Sequence, residues 1–514
     1  MTEDPKESGI VYLVGAGPGH PGLITRLGYD LLQQCEAVAY DALIPMELIA
    51  GLPEKVEKYY VGKRSGSHSL PQPEINELLA KLARRGLKVV RLKGGDPFIF
   101  GRLGEEAEYL YAAGIRVIMI PGVTSASAAA AMSGFSLTNR RAASWVFLGT
   151  GHGAENLNIP VPWNQVAGLK GGTLVIYMGL ARMDQMVDQL LSSGLDPETP
   201  AIVTQAASTG IQRSVEAPLA EIIRECRRRQ LKPPALAIIG EALRCRVGSK
   251  GTEPESLAGK RVLVTSPFPL TAQICRLLRR EGAEPLPYPA VIRKPVDDVE
   301  GWVHMRRLIN SEALCVFTGD MQVRCFYERL LEQNLDMRSL ARFKIIAYGR
   351  PAKAALLEHG INADETLENP DPRALVQCIS ELTSDESLPL LWVGDRSGES
   401  ALIRRLREIH NEVIPLTVCS DFPTVWEDHW KSGILETSPD YIIFTSAAEV
   451  RGFVDLLGIG AARDLSTKSC VAAIDNSVSK TLREYELRVE IAPAASNIDD
   501  LISDLGHHSK TQNR

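Results

Sequence analysis

The chain has 514 residues, of which 45% are hydrophobic, 23% charged and 6% aromatic, and its formal net charge is −6 at pH 7. At about 150 residues per domain this length predicts three or four domains with ample buried core, and the composition excludes a largely disordered chain. The mild acidity (pI about 6.0) excludes a general nucleic-acid binder, which carries a basic face, and leaves room for a local cationic pocket.

In chain order, IVYLVGAG (10–17) predicts a strand entering a glycine-rich turn, and Leu23, Leu27 and Leu31 recur every four residues as one face of the next helix. PEINELLAKLARRG (73–86) predicts a helix with Ile75, Leu78, Leu79 and Leu82 on one stripe, opened by Pro73 and closed by Gly86. KVVRL and RVIMI read as strands, and GEEAEYLYAAG and SASAAAAMSG as helices. This repeated β-α order implies a mostly parallel sheet covered on both faces. SWVFLGTG, TLVIYMG, AIVTQ and ALAIIG are the strand candidates of a second block.

The polar stretch RVGSKGTEPESLAGK predicts a linker over 246–259. Beyond it CVFTGDMQVRCF and IIFTSAAEVRGF match at Phe317/Phe444, Thr318/Thr445, Val323/Val450, Arg324/Arg451 and Phe326/Phe453, each pair 127 residues apart. KIIAYG and CVAAID follow at similar distances, so this half reads as an internal duplication with two α/β lobes. The expected division is 10–135, 136–245, the linker, and 260–505, whose lobes are 260–296 with 416–505, and 297–415.

The nine cysteines include no C-x-x-C pair and read as reduced thiols. The nine histidines are dispersed, without H-E-x-x-H or a Cys/His ligand spacing, so no metal is expected. MTEDPKESG lacks the basic and apolar regions of a signal peptide, and no apolar run reaches the roughly 18 residues of a membrane span. A cytoplasmic protein with no membrane or nucleic-acid partner is expected.

The opening loop, VGAGPGHPG, begins like G-x-G-x-x-G with Gly15 and Gly17, but His20 stands at the third glycine and Pro18 has no amide proton to give a phosphate. It is a poor pyrophosphate cradle, and from these residues alone a plain reversing turn is equally open. Asp41, about 24 positions on, imitates the ribose-binding acid of a dinucleotide fold. Lys63 and Arg64 read by themselves as a solvated basic pair.

VAYDAL, YYVGKRSGSHSLPQPEIN, VVRLKGGDPFIFGR, IMIPGVTSASA and TLVIYMG then occur in order. Together they resemble the tetrapyrrole methylase family, in its uroporphyrinogen-III C-methyltransferase branch, over residues 10 to about 245. The resemblance implies two α/β domains around a cleft for S-adenosyl-methionine (SAM), and methylation of two ring carbons of uroporphyrinogen III to give precorrin-2. It implies SAM contacts at Pro18, Gly94, Gly95, Asp96, Ile99, Thr124, Ser125, Met178 and Ala207, with Asp41 as proton acceptor and Lys63 as proton donor. A carboxylate such as Asp96 favours a sulfonium or an ammonium, while paired glycines admit close backbone approach, although Asp96 can also be read as merely closing a turn. Asp41 suits a base if buried beside the ligand. The substrate's eight carboxylates call for cations, and Lys63, Arg64, Arg102 and Arg140 are the candidates. A homodimer through this half is implied as well. Asn139, Arg141, Ala42 and His20 depart from the family's usual residues, which bears on substrate grip more than on SAM.

Residues 260 to about 505 resemble uroporphyrinogen-III synthase, through RVLVTS, GAEPLPYPAV, CVFTG, AYGRPAKAALLEHG and IIFTSAAEVRGF. That family closes hydroxymethylbilane into the macrocycle with inversion of its last ring. Thr318, Thr445 and Ser446 are the candidate binders of substrate carboxylates, or equally the caps of ordinary strand-to-helix turns. Ser266, Ala352, Cys419, Asp475 and Val478 depart from residues common there. The expected whole is thus α/β throughout: a two-domain tetrapyrrole methylase fold followed by a bilobal synthase fold, making a ring and then methylating it. The alternatives are a synthase-like half that only binds or regulates, and a methylase of another substrate such as RNA.

Overall fold

The computed structural model describes residues 9–62, 70–151, 162–247, 255–368, 372–382, 388–395, 401–409, 412–492 and 497–512. Strands β1 (Ile10–Gly15), β2 (Ala37–Tyr40), β3 (Glu57–Tyr60), β4 (Lys88–Lys93) and β5 (Arg116–Ile120) form a sheet of order β3-β2-β4-β1-β5. Every pairing in it is parallel, with Val11 opposite both Val89 and Val117. Successive side chains of a strand face opposite ways, and here both faces are buried. Val11, Leu13 and Val89 pack with Leu79 and Leu110 of the helices Gln72–Arg84 and Leu103–Ala112. Val14, Val38 and Val90 pack with Leu32 and Ile49 in a separate cluster.

The helix after the opening loop departs from its expected phase. Leu23 ends a short 3₁₀ turn, Pro21–Leu23, and the α-helix starts afresh at Arg26, where Thr25 Oγ1 accepts from the Gly28 amide at 3.1 Å. This restart buries Gly28 and Leu32 and leaves Leu27 56% exposed.

The second sheet holds β6 (Trp145–Thr150), β7 (Gly172–Tyr177), β8 (Pro200–Gln205), β9 (Arg213–Pro218) and β10 (Ala235–Ile239) in the order β6-β7-β10-β8-β9. Only β6 and β7 pair in parallel; β10 inserts antiparallel between β7 and β8. The strand β9 has no counterpart among the sequence-based expectations. It lies at the edge of the sheet and buries one side chain, Val215, so its polar sequence reads as loop.

In the second half, β11 (Arg261–Val264), β12 (Glu284–Pro287), β13 (Val291–Pro295), β14 (Ala313–Phe317), β15 (Phe343–Tyr348), β16 (Glu365–Leu367), β17 (Leu390–Asp395), β18 (Val413–Pro423), β19 (Tyr441–Phe444) and β20 (Cys470–Ala473) form two sheets. One is the parallel β12-β11-β19-β20; the other is β13-β18-β17-β14-β15-β16, parallel except for β13 against β18. That antiparallel pair extends the six-stranded sheet past both lobe limits expected at 297 and 415. The chain divides into two compact units, one of Met1–Tyr288, Asp428–Ala447 and Ile459–Arg514, the other of Pro289–Glu427 and Ala448–Gly458.

The duplicated motif lies on equivalent elements. β14 leads into the helix Asp320–Glu332 and β15, and β19 leads into the helices Ala447–Leu457 and Ile459–Lys468 and then β20. The matched Phe317/Phe444, Val323/Val450 and Phe326/Phe453 are all buried core, which explains why these positions repeat. Of the expected linker, 248–254 lies outside the described residues, but its last part is folded: Leu257 is fully buried and its amide donates to Glu281 O at 2.8 Å. Among the described residues no helix is long and apolar enough to cross a membrane.

The restarted helix phase makes a direct prediction. Leu32→Ala is expected to cost about 2–5 kcal/mol and Leu27→Ala less than about 0.5 kcal/mol, read from denaturation midpoints; equal costs would restore the phase expected from sequence.

Candidate active site

Parallel strands deliver their carboxyl ends to one edge of a sheet, where ligands of open α/β folds bind. At that edge the loops after β1, β4 and β5 meet backbone to backbone. A Cβ on Gly15 would lie 2.7 Å from Gly122 Cα and 2.8 Å from Gly95 O, with no flexible side chain to yield. Gly17 and Gly95, at φ of 79° and 69°, exchange backbone bonds: Gly95 N donates to Gly17 O at 2.8 Å, and Gly17 N to Gly95 O at 3.2 Å. Asp96 Oδ1 accepts from the Phe98 amide at 3.1 Å and from the Gly122 amide at 3.4 Å. It therefore closes its own turn and also ties the β4 loop to the β5 loop.

The second sheet supplies the opposite wall through the ends of β7 and β8 and the start of β10. The result is a cleft of about 290 Å³. All nine of the residues expected at the methyl donor line it: Pro18, Gly94, Gly95, Asp96, Ile99, Thr124, Ser125, Met178 and Ala207. Leu43, Phe100 and Tyr177 line it as well, and sequence reasoning missed them. Tyr177 shares a 2.6 Å hydrogen bond with Thr124 Oγ1, and burial raises its phenol pKa, so the ring stays neutral across the two walls. Asp96 is the charged member of the described lining, which contains no lysine or arginine. Phe100, Arg102, Met178, Ala206 and Ser208, in and beside the cleft, all have left-handed backbone. Such conformations cost energy outside glycine and gather where surrounding structure over-determines them.

Asp41 stands at the end of β2 but outside the cleft lining, and it is not buried: its side chain is 30% exposed. Arg91 Nη2 holds its Oδ1 at 2.8 Å. Arg91 in turn meets the fully buried Glu106 at 3.3 Å, and Glu106 also takes Lys93 Nζ at 2.7 Å and Gln72 Nε2 at 3.0 Å. Burial first, then the charge of Arg91, pushes the Lys93 ammonium pKa down. The signal for this network was present in VVRLK, where two cations alternate on a central buried strand and must find partners.

The other candidates are not gathered here. Lys63 and Arg64 lie outside the described residues. Arg102 pairs with Glu105 at 2.7 Å on the surface, and Arg140 is exposed in a turn; neither lines the cleft. His20, at the end of the opening loop, accepts the Gly22 amide on Nδ1 at 3.0 Å, and its own amide donates to Ser208 Oγ at 3.2 Å.

In the second half, Thr445 Oγ1 and the buried Ser266 Oγ are hydrogen-bonded to each other at 3.0 Å, and Ser446 beside them is partly buried. Asp475 Oδ1 accepts the Val478 amide at 2.8 Å and caps the helix Asn476–Glu484. Thr318, in the other unit, donates to Val393 O at 3.1 Å. In that unit Ala352 is fully buried, and so is Cys419, which meets the Cys325 thiol. No cluster of three or more metal-binding side chains occurs among the described residues.

Both halves of the chain are similar to known proteins. The family described as Tetrapyrrole (Corrin/Porphyrin) Methylases matches residues 10–223, and Uroporphyrinogen-III synthase HemD matches residues 272–503. The Porphyrin biosynthesis protein HemD of Ruminiclostridium josui is 33% identical over 503 residues, 97% of this chain and 98% of that protein. The Uroporphyrinogen-III C-methyltransferase of Bacillus subtilis (strain 168) is 35% identical over 357 residues, 69% of this chain and 72% of its own length. Among solved structures, a Uroporphyrin-III C-methyl transferase from Thermus thermophilus complexed with S-adenyl homocysteine matches at 41% identity, with a TM-score of 0.40, over 46% of this chain and all of that one.

Two outcomes follow from the loop geometry. Gly15→Ala is expected to destabilise the fold by about 1–3 kcal/mol, because the new methyl meets only backbone; its unfolding midpoint tests this. Burial, and then the charge of Arg279, hold the His20 imidazole below its ordinary 6.5. As pH falls below about 6.5 the unfolded chain takes the proton first, so stability contributed by neutral His20 is lost. The melting temperature should therefore fall more steeply on acidification in the native chain than in His20→Asn.

Proposed function

Since this chain belongs to the tetrapyrrole methylase family and carries a uroporphyrinogen-III synthase domain behind it, as an enzyme of tetrapyrrole biosynthesis, we propose that its first half C-methylates uroporphyrinogen III with SAM to give precorrin-2. The observation that carries this reading is the charge of the cleft: one carboxylate, no lysine or arginine in its described lining, and glycine backbones as the floor. A pyrophosphate would face the Asp96 carboxylate with no cation to offset it, whereas a sulfonium with an ammonium is favoured by Asp96, and an adenine by the mostly apolar walls. Gly94 and Gly95 would hold the donor by backbone, Thr124 and Ser125 by hydroxyl, and Ile99, Met178 and Ala207 by apolar contact. The donor supplies an electrophilic methyl group, and the walls keep water away from it.

Methylating a pyrrole carbon leaves a proton to remove, and Asp41 is our candidate acceptor. Arg91, braced by Glu106, fixes that carboxylate at the sheet edge. Lys63 is the proposed proton donor. Lys63, Arg64 and the exposed Arg140 are the proposed partners for substrate carboxylates; Arg102 is engaged by Glu105 and is the weakest of the four. Incubating the whole chain with uroporphyrinogen III and methyl-labelled SAM should put label into a tetrapyrrole with the absorbance of precorrin-2. Label in RNA alone would favour a different substrate. Asp41→Asn is expected to lower turnover by about 10²–10⁴ while SAM still binds, and unchanged turnover would remove Asp41 from the base role.

For the second half we propose closure of hydroxymethylbilane to uroporphyrinogen III. One observation favours a second reading, a domain that binds or regulates without turnover. Asp475 puts the chain's own carboxylate on a helix N-terminus, where an incoming carboxylate would otherwise be stabilised. Supplying the full chain with the bilane alone separates the two: the inverted type III isomer supports the synthase, and only the uninverted type I ring supports the binding domain.

A further inference from the structure

Within the first compact unit, the region behind the methylase reaches the loops that bound the methyl-donor cleft through a largely buried ion triad, among other contacts. Arg279 lies in the last turn of the helix Leu270–Arg280, and its Nη2 meets Glu47 Oε1 at 2.7 Å, with Nε on the same oxygen at 3.1 Å. Its Nη1 lies 3.5 Å from Glu284 Oε2, and that oxygen accepts the Gly210 amide at 2.6 Å. The three side chains are 12%, 17% and 16% exposed. Glu47 lies four residues beyond Leu43, and Gly210 directly follows Thr209; both Leu43 and Thr209 line the cleft.

The Gly210 loop is held both by its own bonds, such as Ser208 N to Gln212 Oε1 at 2.7 Å, and from outside. Ala206 and Ser208 have φ of 50° and 65°, in the left-handed region that ordinary residues avoid. A Cβ on Gly210 would stand 2.5 Å from Glu284 N, so glycine is what lets the loop sit directly on the start of β12. Gly210 O also accepts the Gly259 amide at 3.1 Å. The same loop carries the opening one, through Ser208 Oγ and the His20 amide. Three cleft-bounding segments thus hang on two carboxylates sharing one guanidinium. Burial raises the Glu284 pKa, and Arg279 first, then the Gly210 amide, opposes that rise. Without Arg279 two largely buried carboxylates would be left near each other with no cation between them.

We propose that Arg279 and Glu284 are positioning residues for the methylase cleft, making its affinity for the methyl donor depend on the synthase-like region that supplies them. The proposal rests on the reading of that cleft as a SAM site. It does not require the synthase-like half to turn over.

The test uses the full chain, with SAM affinity by calorimetry and steady-state methylation of uroporphyrinogen III. Arg279→Met and Glu284→Gln are expected to raise the KM and Kd for SAM on the order of tenfold, with kcat within about twofold, as for coupling passed between packed elements. Arg279→Lys should recover part of the loss, and Arg276→Ala, exposed on the same helix, should match the native chain. If Arg279→Met does not fold, Glu284→Gln, which keeps an acceptor for the Gly210 amide, carries the test. Native affinity in a folded variant overturns the proposal, as does a fall in kcat that merely tracks a lower melting temperature. Failure of the native chain to bind SAM overturns the reading of the cleft itself.

Discussion

The structure of the methylase half depends on the contact of three glycine backbones, Gly15, Gly95 and Gly122, at the carboxyl edge of its first sheet. A parallel sheet brings the loops after β1, β4 and β5 to one edge, but side chains on them would hold the loops apart. Without Cβ atoms the loops touch, and the amides of Gly17 and Gly122 become partners for Gly95 O and Asp96. The floor this makes is polar through its backbone and nearly free of charge. Asp96 remains as the carboxylate that gives the cleft its sign.

The buried charges behind the cleft are paired. Arg91, Lys93, Glu106 and Asp41 form one network behind the first sheet's edge, and Glu47, Arg279 and Glu284 form another beneath two cleft loops. Burying such groups is costly unless each finds a partner, and pairing them fixes the segments that carry them. The first network holds the Asp41 carboxylate at that edge. The second ties the synthase-like region to the segments carrying Glu47 and Gly210. In the synthase-like half, by contrast, several polar groups are spent on the chain itself: Ser266 on Thr445, Asp475 on a helix terminus, Thr318 on a backbone carbonyl.

Much of the fold was legible because burial imposes periods. The apolar run of β1, the stripe from Ile75 to Leu82 and the repeat of Phe317 and Phe326 at Phe444 and Phe453 are each core positions of the element expected there. Periodicity failed where a local event reset it. The 3₁₀ turn at Pro21–Leu23 turned Leu27 outward, and β9, an edge strand with one buried residue, left no apolar signal. The lobe limits were misjudged because β13 and β18 pair across 120 or so residues of chain, and strand partnership at that distance has no local trace.

By itself the sequence determined the α/β class, the two family resemblances, the glycine positions at the cleft and the mismatch between the opening loop and a pyrophosphate. Those properties reside in residue type and short spacing, which folding does not alter. Only the tertiary structure decided that Asp41 is partly exposed and held by Arg91, that Tyr177 and Leu43 complete the cleft, and that Arg279 and Glu284 reach its loops from behind. Each of these joins segments 50 to more than 200 residues apart, and the energy of an ion pair or a shared wall depends on distance in space, which no spacing along the chain encodes.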